Sequence, residues 1–145
     1  MMKVARQATM LPMLVLGLTL AACGMGCAPQ EAKVQRFGQV IGVKKEAIPE
    51  YKRLHAECWP GVLAMLKECH IRNYSIYLAE IKPDEFCLFS RFEYVGQDFA
   101  ADMAKMKADP VTQEWWKHTD PLQYKLVTAG PDEWWHSLEE VFHMD

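Results

Sequence analysis

The 145-residue sequence has no uninterrupted apolar run of about 20 residues, the length that crosses a hydrocarbon core. A multi-span membrane protein is therefore excluded. There is no GxGxxG and no GxxxxGK(S/T) loop, so nothing in the pattern cradles the phosphates of a nucleotide. HExxH and closely spaced histidine pairs are missing, which leaves a metal without ligand spacing. The five histidines, His55, His70, His118, His136 and His143, are dispersed. No GxSxG elbow and no CxxC pair occurs. Basic charge is short: 16 Lys+Arg stand against 19 Asp+Glu, a net charge of −3. That balance argues against a nucleic-acid binder, which carries a basic patch or stripe. Internal repeats are also lacking.

What is present is enough apolar material for one core. Half of the residues are hydrophobic, too many for a disordered chain, and the length suits a single domain. The first 22 residues differ from the rest. Lys3 and Arg6 precede a nearly wholly apolar stretch from Met10 to Leu20, then Ala21, Ala22 and Cys23. A basic start, a short apolar core and small residues before a cleavage point make a secretory signal. Leu20-Ala21-Ala22-Cys23 resembles the lipobox of bacterial lipoproteins, which implies cleavage before Cys23 and lipidation of that residue. The chain thus divides into a signal over 1–22, a small polar tether over 23–33 and a domain over 34–145. The expectation is an exported, membrane-anchored lipoprotein on the periplasmic or cell-surface side.

Hydrophobic patterning gives the elements of the domain. A strand is expected over Val34–Val43 and a helix over Ile48–Cys69, kinked at Pro60. A hairpin follows, with strands over Arg72–Ala79 and Phe86–Tyr94. Helices are expected from Phe99 to Met106 and from Pro110 to about His118. Pro121–Asp132 reads as a loop, and Leu138–His143 as a last strand. This is the β-α-β-β-α-β order of a ferredoxin-like α+β sandwich. Helices then cover one sheet face, and a second subunit is the expected cover for the other, making a homodimer. Cys58 and Cys69 lie 11 residues apart on one expected helix, about 16 Å at the helical rise, too far for a bridge. The cysteines of the domain read as small packing residues.

One cluster carries candidate chemistry. Tyr51 and His55 are four residues apart on the first helix and project side by side, with Trp59 one turn further. The same spacing also suits a packed core face. Strand alternation places Tyr74, Ile76 and Leu78 on one face and Asn73, Ser75 and Tyr77 on the other. The adjacent pair Trp115-Trp116 diverges by about 100° on a helix, so one can pack while the other lines a pocket. A second pair, Trp134-Trp135, precedes the last strand. Flat aromatic surfaces beside hydrogen-bonding groups suit carbohydrate, and equally a subunit interface.

The strings Y-K-R-L-H-A-E-C-W-P (Tyr51–Pro60), I-R-N-Y-S-I-Y-L (Ile71–Leu78), D-P-V-T-Q-E-W-W-K (Asp109–Lys117) and L-E-E-V-F-H-M-D (Leu138–Asp145) together resemble the L-rhamnose mutarotases. The resemblance runs in order from about Gln35 to Asp145. It implies a ferredoxin-like fold of the dimeric α/β-barrel type. It also implies a cofactor-free, metal-free isomerase interconverting the α and β anomers of a 6-deoxy hexose. In the family pattern His55 falls on the proton donor, while Tyr51, Tyr74, Trp115 and Trp116 fall on sugar-binding positions. There are departures. The family is usually cytoplasmic, Gly61 stands where many relatives carry an acid, and the segment bearing Trp134-Trp135 differs. L-rhamnose is the expected sugar, with L-fucose as the alternative. In the expected mechanism His55 delivers a proton to the ring oxygen, and a carboxylate or a water serves as base. Two other classes stay open: a non-catalytic sugar-binding lipoprotein, and another ferredoxin-like dimer enzyme such as a small monooxygenase.

Overall fold

The computed structural model describes residues 33–144. The signal segment 1–22, Cys23, Cys27 and nearly all of the tether lie outside the described residues. The element order is β1 (Gln35–Val43), α1 (Ile48–Ala56), α2 (Pro60–Glu68), β2 (Ile71–Lys82), β3 (Glu85–Tyr94), α3 (Phe99–Ala108), α4 (Pro110–Thr119), β4 (Gln123–Tyr124) and β5 (His136–Leu138). Short 3-10 turns precede α1 and β4. The strands form one antiparallel sheet in the order β2-β3-β1-β4, with β5 also on β1. The outer edge of β1 is shared: β4 pairs with Gly42 and Val43, and β5 with Gly38, Gln39 and Val40. This is the ferredoxin-like α+β arrangement, each crossover made of two short helices.

Alternation along the strands decides what faces the helices. Ile41 and Val43 of β1 and Leu88 of β3 bury against Tyr51 of α1. Further along, Phe37 stacks between Phe92 of β3 and Phe99 of α3, with centroids 4.9 and 4.5 Å away. Leu54, Val62 and Trp115 make a second buried cluster joining α1, α2 and α4. At Gly42 a Cβ would lie 2.3 Å from the Tyr124 ring, so the bare backbone lets that aromatic lie flat across β1.

Three expectations need correction. The single kinked helix over Ile48–Cys69 is two helices. Pro60 cannot donate to the carbonyl of Ala56 and its ring crowds it, so α1 ends at Ala56. Trp59 takes the extended conformation usual before proline (φ −62°, ψ 134°), and Pro60 opens α2. The segment Pro121–Asp132 is not all loop, because Gln123–Tyr124 is the strand β4. A strand two residues long has no periodicity to read. Finally, the last strand is His136–Leu138 rather than Leu138–His143. Glu139 and Glu140 bring charge where the ladder would continue. Glu140 instead takes the Arg36 guanidinium in an ion pair at 2.9 Å.

The cysteines behave as packing residues: Cys69 and Cys87 are fully buried, and Cys58, Cys69 and Cys87 are all free thiols.

Candidate active site

Helix α1 sets the first two residues. Pro49 and Glu50 suit its first turn, where a proton donor is not needed and a negative charge meets the helix dipole. Tyr51 follows, 6% exposed and packed on the sheet. His55 comes one turn later, its ring stacked on that of Tyr51 with centroids 4.1 Å apart and planes at 25°. The His55 Nδ1–H donates to the Tyr51 carbonyl oxygen at 2.9 Å. A carbonyl only accepts, so in the neutral ring Nδ1 carries the proton and Nε2 presents a lone pair.

Helix α4 supplies the tryptophans. Asp109 caps it by accepting from the Thr112 amide at 2.7 Å, and Pro110 starts it. As the helical step requires, the pair splits. Trp115 is 5% exposed, and Trp116 is half-buried. The Trp115 ring meets His55 edge-on at 5.4 Å and Trp59 at 5.4 Å.

Tyr74 arrives by a backbone irregularity. Arg72 pairs with Glu93 and Ser75 with Arg91, so Asn73 and Tyr74 together face a single residue of β3. This is a β-bulge, with Asn73 in the left-handed region at φ 50°. The extra residue puts Ile71 and Tyr74 on the same lining surface despite their odd spacing. The Tyr74 ring rests edge-on against Phe92 at 5.5 Å.

Three adjoining cavities meet at His55 and Ile76, of about 530, 690 and 410 Å³. The last gathers all five residues singled out in the sequence: Tyr51, His55, Tyr74, Trp115 and Trp116. It also holds residues that sequence reasoning left without a role. Gln123 and Trp134-Trp135 line it, as do two charged groups, Lys107 and Asp120. Gln123 is 6% exposed. Its amide donates to the Tyr51 hydroxyl at 3.5 Å and accepts from Trp134 Nε1 at 3.3 Å. The doubled tryptophan was a visible signal for Trp134 and Trp135. Nothing local marked Gln123.

Electrostatics follow from burial. Desolvation lowers the His55 pKa from its ordinary value, against the hydrogen bond to Tyr51, which favours the charged ring. Burial raises Tyr51 well above the usual phenol range, and the walls around Tyr74, a residue still 41% exposed, shift its phenol in the same direction. Both phenols therefore keep their protons at neutral pH. The Asp120 carboxyl is also raised, by desolvation alone. The site thus offers a neutral imidazole, protonated phenols and flat apolar walls. It can hold a small polyhydroxylated ring and move protons at two of its oxygens.

The family model described as L-rhamnose mutarotase matches residues 36–144. An L-rhamnose mutarotase of Lactiplantibacillus plantarum is 32% identical over 110 residues, covering 76% of this chain and 98% of that protein. One from Oceanobacillus iheyensis is 30% identical over 112 residues, covering 77% of this chain and 100% of that protein. Among solved structures, an L-rhamnose mutarotase from Formosa agariphila superposes with a TM-score of 0.56 at 23% identity. That match covers 77% of this chain and 99% of that one, and it bears on the fold. With a family model over most of the domain and relatives matched along almost their whole length, the chain belongs to the L-rhamnose mutarotase family of isomerases.

Proposed function

We propose that this protein interconverts the α and β anomers of a 6-deoxy hexose, with L-rhamnose as substrate, by acid–base catalysis without a cofactor. The observation that carries the reading is the stacked Tyr51–His55 pair, 4.1 Å between centroids, in a cavity shared with Tyr74, Trp115 and Trp116. Opening a hemiacetal requires a proton removed from the anomeric hydroxyl and one delivered to the ring oxygen. A group with an ordinary pKa near 6.5 suits such transfer near neutrality. His55 is the proton-transferring residue. Tyr51 and Tyr74 bind sugar hydroxyls. Trp115 and Trp116 form the wall for the apolar sugar face, where a 6-methyl group adds contact area.

The same reading makes the protein an exported lipoprotein anchored through Cys23, and a homodimer. Support for the anchor is the Leu20-Ala21-Ala22-Cys23 string. Support for the dimer is exposed apolar surface on β2 and the C-terminal segment, including Tyr77, Ile81 and Phe142.

The test is saturation-transfer proton NMR of anomer exchange with L-rhamnose, L-fucose and D-glucose, with His55→Ala alongside. Accelerated exchange of L-rhamnose that is lost in the variant is the expected result. Acceleration of L-fucose alone would reassign the substrate. Tight sugar binding without acceleration would leave a sugar-binding lipoprotein. For the anchor, Cys23→Ala should release the protein from the membrane fraction.

A further inference from the structure

We propose that this site also accepts 6-deoxy hexoses carrying one short O-acyl group, and that the apolar cavity beside His55 is the subsite for the acyl chain. The inference rests on the mutarotase reading and widens its substrate class from the free sugar to its mono-esters.

Helix α3 carries an apolar stripe, Phe99, Met103 and Met106, at the four- and three-residue steps of one helix face. Such a stripe is ordinarily buried, yet no residue of α3 is buried. Phe99 stacks on Phe37, and all three side chains line the 690 Å³ cavity, together with Val62 and Leu66 of α2. Protein interiors pack to about crystal density, so a space of this size among apolar side chains calls for an occupant. Its volume and its mainly apolar lining are those of a small-molecule pocket. It shares His55, Tyr74, Trp115 and Trp116 with the 410 Å³ cavity that gathers the sugar-site residues. A ligand seated on those four residues can therefore extend from one cavity into the other. Beyond the shared residues, the polar side chains are Gln39 of β1 and Thr112 of α4, with the Cys58 thiol.

Thr112 is 3% exposed. Its backbone amide donates to Asp109 at 2.7 Å, but its Oγ1 is buried without a hydrogen-bond partner. A buried hydroxyl left unpaired is destabilising. Threonine holds two side-chain rotamers in a helix, so a turn about χ1 exchanges its methyl and hydroxyl groups at the cavity wall. A hydroxyl donates, and an ester carbonyl only accepts. An acyl ester matches this lining twice. Its chain meets Leu66, Phe99 and the two methionines, and its carbonyl takes the Thr112 hydrogen bond. Methionine rotates about three bonds, so this wall adapts to the length of the chain. A second sugar ring fits worse. It would bring several hydroxyls to a wall with few polar groups, and each one left unpaired would weaken binding.

The chemistry of mutarotation places the ester. The hemiacetal opens only if the anomeric hydroxyl is free. Position 5 carries the ring oxygen, and position 6 is a methyl group. The acyl group must therefore sit on the oxygen at position 2, 3 or 4. The ester is carried through the reaction and is not cleaved.

The experiment is calorimetric binding and anomer exchange by the full chain with L-rhamnose and its 2-, 3- and 4-O-butanoyl esters, in mildly acidic buffer, which slows acyl migration. One ester should bind about tenfold tighter than L-rhamnose or better, from the apolar area its chain buries, and should exchange its anomers. The butyl ether at the same position has the chain without the carbonyl. Thr112→Val removes the hydroxyl, keeps the side-chain shape and leaves the amide in its bond to Asp109. It should lower the ester-to-rhamnose affinity ratio about fivefold, the size of one hydrogen bond, and leave the ether-to-rhamnose ratio where it was. Met103→Trp fills the cavity and should lower both ratios. If that variant does not fold, Thr112→Val decides. Esters that bind no tighter than L-rhamnose at any position would overturn the inference, while exchange of L-rhamnose would keep the mutarotase. So would an ester preference that neither variant moves. A rhamnose disaccharide with a free reducing end that binds tighter than every ester would make the occupant a sugar, and would also overturn it. No exchange of L-rhamnose or of any ester would overturn the mutarotase reading and this inference with it.

Discussion

Trp115 links packing to chemistry at the scale of one side chain. It is 5% exposed and its ring edge meets both His55 and Trp59. Truncation to alanine should cost about 3–5 kcal/mol, the range for a buried aromatic, measured by urea denaturation. Trp115→Phe should retain most of that stability while loosening the His55 ring. Glu133 is a second case. Its carboxylate accepts from the Gly130 amide at 2.9 Å and next from Ser137 and His136, which hold it down to about 2. A lowered folded value means its contribution is complete above the ordinary carboxylate value near 4.5 and is lost as pH falls through about 2. Glu133→Gln should therefore lower Tm at pH 7, and the gap should close between pH 4.5 and 2. Equal gaps at both ends would sink the linkage. Tyr51 and His55 were legible as neighbours because helical spacing sets residues four apart side by side, and Trp115 and Trp116 as a diverging pair, whereas a sugar-site role for any of them came from the family resemblance. Gln123 was not legible, since its partners lie 72 residues before it and 11 after it.

Elements are set by their breakers and caps. Asn73 holds the left-handed conformation that makes the bulge, and Asn tolerates that conformation better than most residues. Asn73→Val should cost about 1–3 kcal/mol from backbone strain and should lower activity by displacing Tyr74. Asn73→Gly should keep both, checked by thermal melts and anomer exchange. The N-cap of α4 is a simpler test. Asp109→Ala should cost about 1 kcal/mol, read from the urea midpoint. Helix and strand existence was readable from hydrophobic period and from proline positions. The break at Pro60 was readable as a kink, and the structure makes it a complete restart because Trp59 is extended. Gly61, the departure beside it, has a packing reason. A Cβ there would lie 2.9 Å from a Val111 methyl, so a larger residue would have to displace that side chain of α4.

At the scale of the whole molecule, the sheet carries helices on one face, and its edge strand β2 exposes Tyr77 at 60% and Ile81 at 46%. The C-terminal segment adds Val141 at 88% and Phe142 at 79%. Such surface is a liability in a monomer, and a second copy of the chain is the proposed cover. Sedimentation of the full chain should give a dimer, with a melting temperature that rises with protein concentration. Phe142→Glu should shift the species toward monomer. A concentration-independent monomer in the unmodified chain would overturn the dimer.

The sequence by itself determined the class of fold, the main strands and helices as far as α4, and which residues share the α1 and α4 faces. Those properties depend on local spacing, on caps and on proline, all of which act within a few residues. Only the tertiary structure decided that α1 and α4 bring their faces to one cavity and that a bulge turns Tyr74 into it. It also decided that a glutamine from a two-residue strand stands between Tyr51 and Trp134. These depend on sheet register and on contacts between residues far apart in the chain, which no local pattern encodes.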